Sequence, residues 1–240
     1  MSSEVNARPI PPKSGPLSVW TTAAKGWMGM VSPFSPTSKG TQSKPLAKVW
    51  YQGDGTVAQH WPDQEEWKNW EESWDANKVL IDQTSNSPEE TQDLYDSILE
   101  VSNSTDVDAR FILATIMQES KGDVRVTTTA VAVENPGLMQ AFGPIAKGTC
   151  KDVSTTERCP KAMIKQMIME GTATNSEGMS LHDLLTKSGV SDVSKYYKAT
   201  RLYNSGPNSI PADKDLSSKE LSSTYTYASD VANRLTGWVG

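Results

Sequence analysis

The chain is poor in the residues that build metal centres. Its 240 residues hold two histidines, His60 and His182, and two cysteines, Cys150 and Cys159, the latter in "CKDVSTTERC". Neither histidine is near the cysteine pair, and the spacing does not resemble a zinc site. No apolar run approaches the roughly 18 residues that a membrane-spanning helix needs. The opening "MSSEVNARPIPPKSGP" lacks the apolar stretch of a secretory signal, which fits a cytosolic protein or a mature sequence given a starting Met. Positive charge is scarce as well. Against 29 Asp and Glu stand 23 Lys and Arg, and a net charge of −6 argues against the basic surface that nucleic-acid binding requires. Neither nucleic acid nor a membrane is an expected partner.

Apolar residues make up 36% of the chain and charged residues 22%, the composition of a globular protein. The length suits one domain of ordinary size with extra terminal material, or two small ones. Residues 1–45 are rich in Pro, Ser, Gly and Thr and read as an extended or flexible N-terminal arm, whose apolar patch "VWTTAAKGWMGM" is a candidate to dock on the body. Residues 46–86 read as a tryptophan-rich helical extension packed on that body. There Trp67, Trp70 and Trp74 fall on one stripe of a helix expected over about 63–80. Such a stripe either packs the helix down or offers an aromatic platform to sugar rings, and packing is the plainer reading. The cysteine pair reads first as a local disulfide, contributing about 2 to 3 kcal/mol in the chain-entropy model. Two free thiols are the alternative.

From residue 87 the helix signals are explicit. "SPEE" offers Ser87 as N-cap, Pro88 at the first helical position and Glu90 to close a capping box, with Leu94, Ile98 and Val101 as the buried face. "NSTDVD" breaks that helix and caps a central one, from about Val107 to Ser120, which is apolar on every side. "DVRVTTTAVAV" is β-branched and partly alternating, so short strands or an extended loop are expected, followed by a short helix through "LMQAF". Further helices are expected from Pro160 to a stop at Gly171, through "VSKYYKATRLYNSG" to Gly206, and along Tyr227, Val231 and Leu235. The fold class is mainly α with a small β or loop element.

The central helix raises a chemical question, because "ILATIMQESKG" ends an oily segment in one carboxylate, Glu119. Burial against apolar groups disfavours the charged form and raises a carboxyl pKa, which is the condition for a general acid near neutral pH. Pairing with Lys121 or Arg125 is the structural alternative. Glu119 and Ser120 are followed in order by "GLMQ" at 137–140, "YNSG" at 203–206 and a late helix carrying Tyr227. This order resembles the lysozyme-like superfamily of soluble lytic transglycosylases and goose-type lysozymes, nearest to a fungal branch with "QES", "NPGLMQ" and "YNSG" runs. The resemblance covers residues 87–240 and does not reach the first 80 or so.

The resemblance implies an α-rich (α+β) lysozyme-like domain with helices around a cleft, cleaving β-1,4-linked N-acetylhexosamine polymers. Peptidoglycan is the first substrate and chitin the second, with no metal or organic cofactor, as a monomer and outside the cell. It makes Glu119 the acid and lines the cleft with Ser120, Gly137, Leu138, Met139, Gln140, Tyr203, Asn204 and Tyr227. Gly137 would admit close backbone approach, Met139 would touch the sugar's apolar face and Gln140 would offer its amide. A helix cap for Asn204 and core packing for the tyrosines are the alternatives.

A lytic transglycosylase needs the one acid, whereas inverting hydrolysis needs a second carboxylate roughly 6.5 to 9.5 Å away. Glu134 is the candidate base and Asp123 a weaker one; either also reads as a solvated loop residue. Two departures stand out: the cysteines that the fungal pattern places near Asp123 and Tyr225 are missing. A catalytically weak or inactive glycan-binding or effector protein on the same scaffold is the rival reading. The acidic balance suits uncharged chitin better than an anionic wall polymer.

Overall fold

The computed structural model describes residues 46–130, 133–143, 146–174 and 177–240. The arm expected over 1–45, with its apolar patch, lies outside them. Among the described residues the protein is mainly helical, with seven α-helices and one two-stranded hairpin. They belong to one compact unit, Ser43–Gly240. No helix is long and apolar enough to cross a membrane.

The first helix, α1 (Trp70–Ile81), begins later than the tryptophan stripe predicts. Asn69 and Glu72 form a capping box there, which leaves Trp67 in extended backbone after a 3₁₀ turn at Gln64–Glu66. The cap satisfies the helix's free N–H groups and so sets its start, whatever the periodicity before it. Trp61, Trp67 and Trp74 are buried. Trp67 donates its indole N–H to the Tyr197 hydroxyl at 3.0 Å, and Trp70 stacks on Trp74 with Tyr95 alongside. The stripe packs the domain, and the sugar-platform alternative is set aside for it.

Helix α2 (Pro88–Thr105) starts with the Ser87–Glu90 capping box. Glu90 does more than cap. Its carboxylate also takes the Arg125 guanidinium at 2.7 Å and the backbone N–H of Cys159, and Arg125 reaches the carbonyls of Val153 and Glu157. This buried pair fixes the loop closed by the Cys150–Cys159 disulfide.

The central helix α3 (Ala109–Glu119) buries every residue from Phe111 to Met117 and packs on α1, α2 and, later in the chain, α7 (Tyr227–Leu235). It stops abruptly. Lys121 and Gly122 follow in left-handed backbone, with φ of 56° and 79°, and a Cβ on Gly122 would lie 2.8 Å from Ile81 Cγ1. Ser120 closes the end by donating to the Ile116 carbonyl.

The β element is a hairpin of β1 (Thr129–Ala130) and β2 (Glu134–Asn135), paired antiparallel. The short helix expected through "LMQAF" is a tight turn over 137–140, with Gln140 N–H donating to the Gly137 carbonyl. Left-handed backbone at Gly137 (φ 75°) and Gln140 (φ 46°) prevents helical continuation. Helix α4 (Lys161–Thr172) packs on α2 and runs through Gly171 rather than stopping there. Its successor α5 (Leu181–Lys187) has no counterpart in the sequence reading; α6 (Ser194–Ser205) packs on both α5 and α7.

Candidate active site

Glu119 is the last residue of α3, so its carboxyl leaves the oily helix at the point where the backbone turns away. Two influences act on it: burial, which pushes the carboxyl up to about 7, and a hydrogen bond from Tyr227, which opposes that rise. Tyr227 opens α7 and donates its hydroxyl to Glu119 Oε1 at 2.5 Å. The negative end of the α3 dipole disfavours a carboxylate in the same sense as burial. The alternative partners are engaged elsewhere or exposed. Arg125 belongs to Glu90, and Lys121 is exposed with no acidic partner among the described residues.

Tyr203, on α6, is electrostatically close to this group. Burial first, and the nearby Glu119 second, raise its hydroxyl well above the ordinary tyrosine value. Burial and then Glu119 do the same for Tyr227. Two neutral phenols and one carboxyl held near neutrality therefore share a water-poor corner between α3, α6 and α7. The Tyr203 hydroxyl donates to the Met139 carbonyl at 2.8 Å rather than to Glu119. Beside the acid, Gln118 accepts from Arg234 Nε at 3.0 Å, a bridge from α3 to α7 that the sequence reading missed. The signal was present, since Tyr227, Val231 and Arg234 recur at i, i+4 and i+7 on one helix face.

The "GLMQ" turn is adjacent through Tyr203, yet its side chains do not have the roles assigned to them. Gln140 is buried and its amide is spent internally. Oε1 accepts from Thr129 N–H and Oγ1, and Nε2 donates to the carbonyls of Thr127 and Gly137. It clamps the hairpin to the turn instead of offering hydrogen bonds to a sugar. Met139 is likewise turned inward, fully buried against Gly171, with its sulfur accepting from Thr172 Oγ1. Leu138 is fully buried. At Gly137 a Cβ would stand 2.5 Å from the Gly148 carbonyl oxygen, so protein packing already requires a glycine here. Ser120 holds the helix end by its bonds to Ile116 and Gly122.

Asn204 accepts through Oδ1 from the Thr224 N–H at 2.9 Å, and its neighbour Ser205 accepts from the Ser223 N–H. The "YNSG" end of α6 thus anchors the loop that delivers Tyr227, a fixing role close to the cap alternative. Glu134 is exposed on β2 and has no side-chain partner among the described residues. Asp123 accepts from Ser85 and from the Arg125 N–H, which makes it a turn former. Among the described residues no cluster of three His, Cys, Asp or Glu side chains gathers into a metal site.

Compared with known proteins, the chain matches no family model, no curated protein and no solved structure.

Proposed function

We propose that this chain is a glycan-cleaving enzyme with a lysozyme-like domain, acting on β-1,4-linked N-acetylhexosamine polymers, peptidoglycan first and chitin second. One observation carries the reading. Glu119 stands at the end of an apolar helix with its carboxyl pushed up to about 7 by burial and held by Tyr227. A carboxyl in that state is protonated for an appreciable fraction of molecules at neutral pH and is oriented by one partner, which is what a general acid requires.

In the proposed reaction Glu119 gives its proton to the glycosidic oxygen as the C1–O bond breaks, leaving a carboxylate and an oxocarbenium-like sugar. The carboxylate then removes a proton from an oxygen nucleophile that attacks C1. In the single-acid reaction that nucleophile is the sugar's own 6-hydroxyl and the product is an anhydro sugar; in inverting hydrolysis it is a water activated by a second carboxylate. Tyr227 orients the acid, and Tyr203 keeps the "GLMQ" turn against it. The protein works as a monomer without a cofactor. The deciding experiment incubates the purified chain and its Glu119→Gln variant with peptidoglycan and with chitin oligomers, followed by mass spectrometry. Anhydro ends from the wild type and none from the variant support the reading, reducing ends assign hydrolysis, and equal turnover by the two proteins removes Glu119 from the mechanism.

A second reading, a glycan-binding protein that keeps the scaffold without catalysis, is favoured by the internal use of Gln140 and Met139. Their side chains are withdrawn from any ligand. Binding of oligomers without products selects it.

A further inference from the structure

A surface groove of about 330 Å³ lies at the start of α7, lined by Lys48, Val49, Trp50, Tyr225 and Thr226. Trp50 and Tyr225 are 44% and 39% exposed and meet edge to face, with ring centroids 5.8 Å apart. Partly exposed aromatic rings at a groove present amphipathic faces on which a ligand can pack. We propose that this groove is a sugar subsite in which one pyranose ring of the N-acetylhexosamine chain packs on Trp50; the proposal rests on the glycan reading above.

The wall carrying Trp50 is pre-organised. The Asn233 side chain grips Val49 twice, accepting from its N–H and donating to its carbonyl, each at 2.7 Å. Ser229 accepts from the Tyr51 N–H, and Lys48 pairs with Asp230 at 2.6 Å. Three neighbouring residues of α7 thus hold the strand-like segment 48–51 in one place, so that little ordering remains to be done on binding. The opposite wall is set by Asn204, which fixes Thr224 beside Tyr225.

Size, charge and position fit a sugar ring. The volume lies at the lower end of the roughly 300–1,000 Å³ range of ligand sites, suiting one ring of a longer chain rather than a whole drug-sized ligand. Lys48 is paired with Asp230, and Lys219 lies over the Tyr225 ring at 5.0 Å from its centroid, so the Trp50 side of the groove is left to an uncharged, amphipathic ligand. Tyr225 and Thr226 directly precede Tyr227, the partner of the acid, which puts the groove at the start of the same helix.

The test uses the full chain carrying Glu119→Gln, titrated calorimetrically with the hexamer of N-acetylglucosamine. Adding Trp50→Ala should weaken binding about tenfold while Trp50→Phe keeps most of it, in line with the energy of one aromatic contact. In the chain with Glu119 intact, Trp50→Ala should raise KM for the hexamer and leave kcat unchanged. Equal affinity with and without Trp50, or no hexamer binding at all, overturns the subsite. If hexamer is cleaved with no dependence on Trp50, the enzyme reading survives without the subsite. Trp50-dependent binding with no cleavage by the wild type keeps the subsite and ends the enzyme reading.

Discussion

Tyr227 donates its hydroxyl to Glu119 across 108 residues of sequence, joining the first residue of α7 to the last of α3. The bond stabilises the ionised carboxyl and so works against the burial that raises its pKa. Tyr227→Phe keeps the ring and removes that opposition. The Glu119 carboxyl should then titrate above 7, and the alkaline limb of the cleavage rate should move to higher pH. The rate itself should fall roughly ten- to a hundredfold, because the acid loses its orienting partner. A limb that stays in place, or moves to lower pH, refutes the coupling.

The same burial makes Glu119 a stability liability at high pH. A carboxyl that titrates near 7 in the folded protein and at its ordinary 4.5 in the unfolded chain binds protons more tightly when folded. Its contribution is complete below 4.5 and is lost as pH rises through 7. The variant Glu119→Gln stays neutral throughout. It should match the wild type in stability at pH 4 and exceed it by on the order of 2 to 3 kcal/mol at pH 8. Urea denaturation at the two pH values measures the difference, and a constant offset means that the carboxyl is not buried as described.

Much of the frame was legible because local rules and tertiary packing agree. Ser87 and Glu90 cap α2 as their spacing announces, and the all-apolar run of α3 is buried from Phe111 to Met117. The turn at 137–140 was misread because a sequence of helix formers does not display that Gly137 and Gln140 take positive φ. The late start of α1 was readable in Asn69 and Glu72, but the tryptophan periodicity outweighed it. Motif residues told where chemistry gathers and not which way each side chain faces. Gln140 and Met139 show the limit, since identical letters serve a cleft or a core according to what packs on them.

Gln140 therefore gives a prediction that separates structure from ligand binding. Its amide satisfies the buried Gly137 carbonyl and ties Thr127 and Thr129 to the turn. Gln140→Ala leaves the Thr127 carbonyl and the Thr129 N–H and hydroxyl without this partner, while the Gly137 carbonyl keeps the backbone N–H of residue 140. A loss of about 1 to 3 kcal/mol is expected, with faster amide exchange confined to residues 127–130. Unchanged stability with weaker oligomer binding would return Gln140 to the cleft.

Gly171 was read as a helix stop, yet α4 continues through it to Thr172. Its real constraint is space. A Cβ there would lie 2.5 Å from Met139 Cβ, 2.7 Å from Met139 Sδ and 3.0 Å from the Tyr203 hydroxyl. In an open helix Gly→Ala stabilises by about 1 kcal/mol. Here the methyl group must push Met139, whose Cβ is tied to the turn backbone, and displace the hydroxyl that holds the Met139 carbonyl. Overpacking of this kind costs roughly 1 to 3 kcal/mol, enough to reverse the propensity gain. The expected outcome for Gly171→Ala is a net loss of stability together with lower cleavage, because Tyr203 and the turn move relative to Glu119. Paired denaturation and turnover measurements check this, and a more stable variant with full activity would show that α4 does not press on the turn beside the acid.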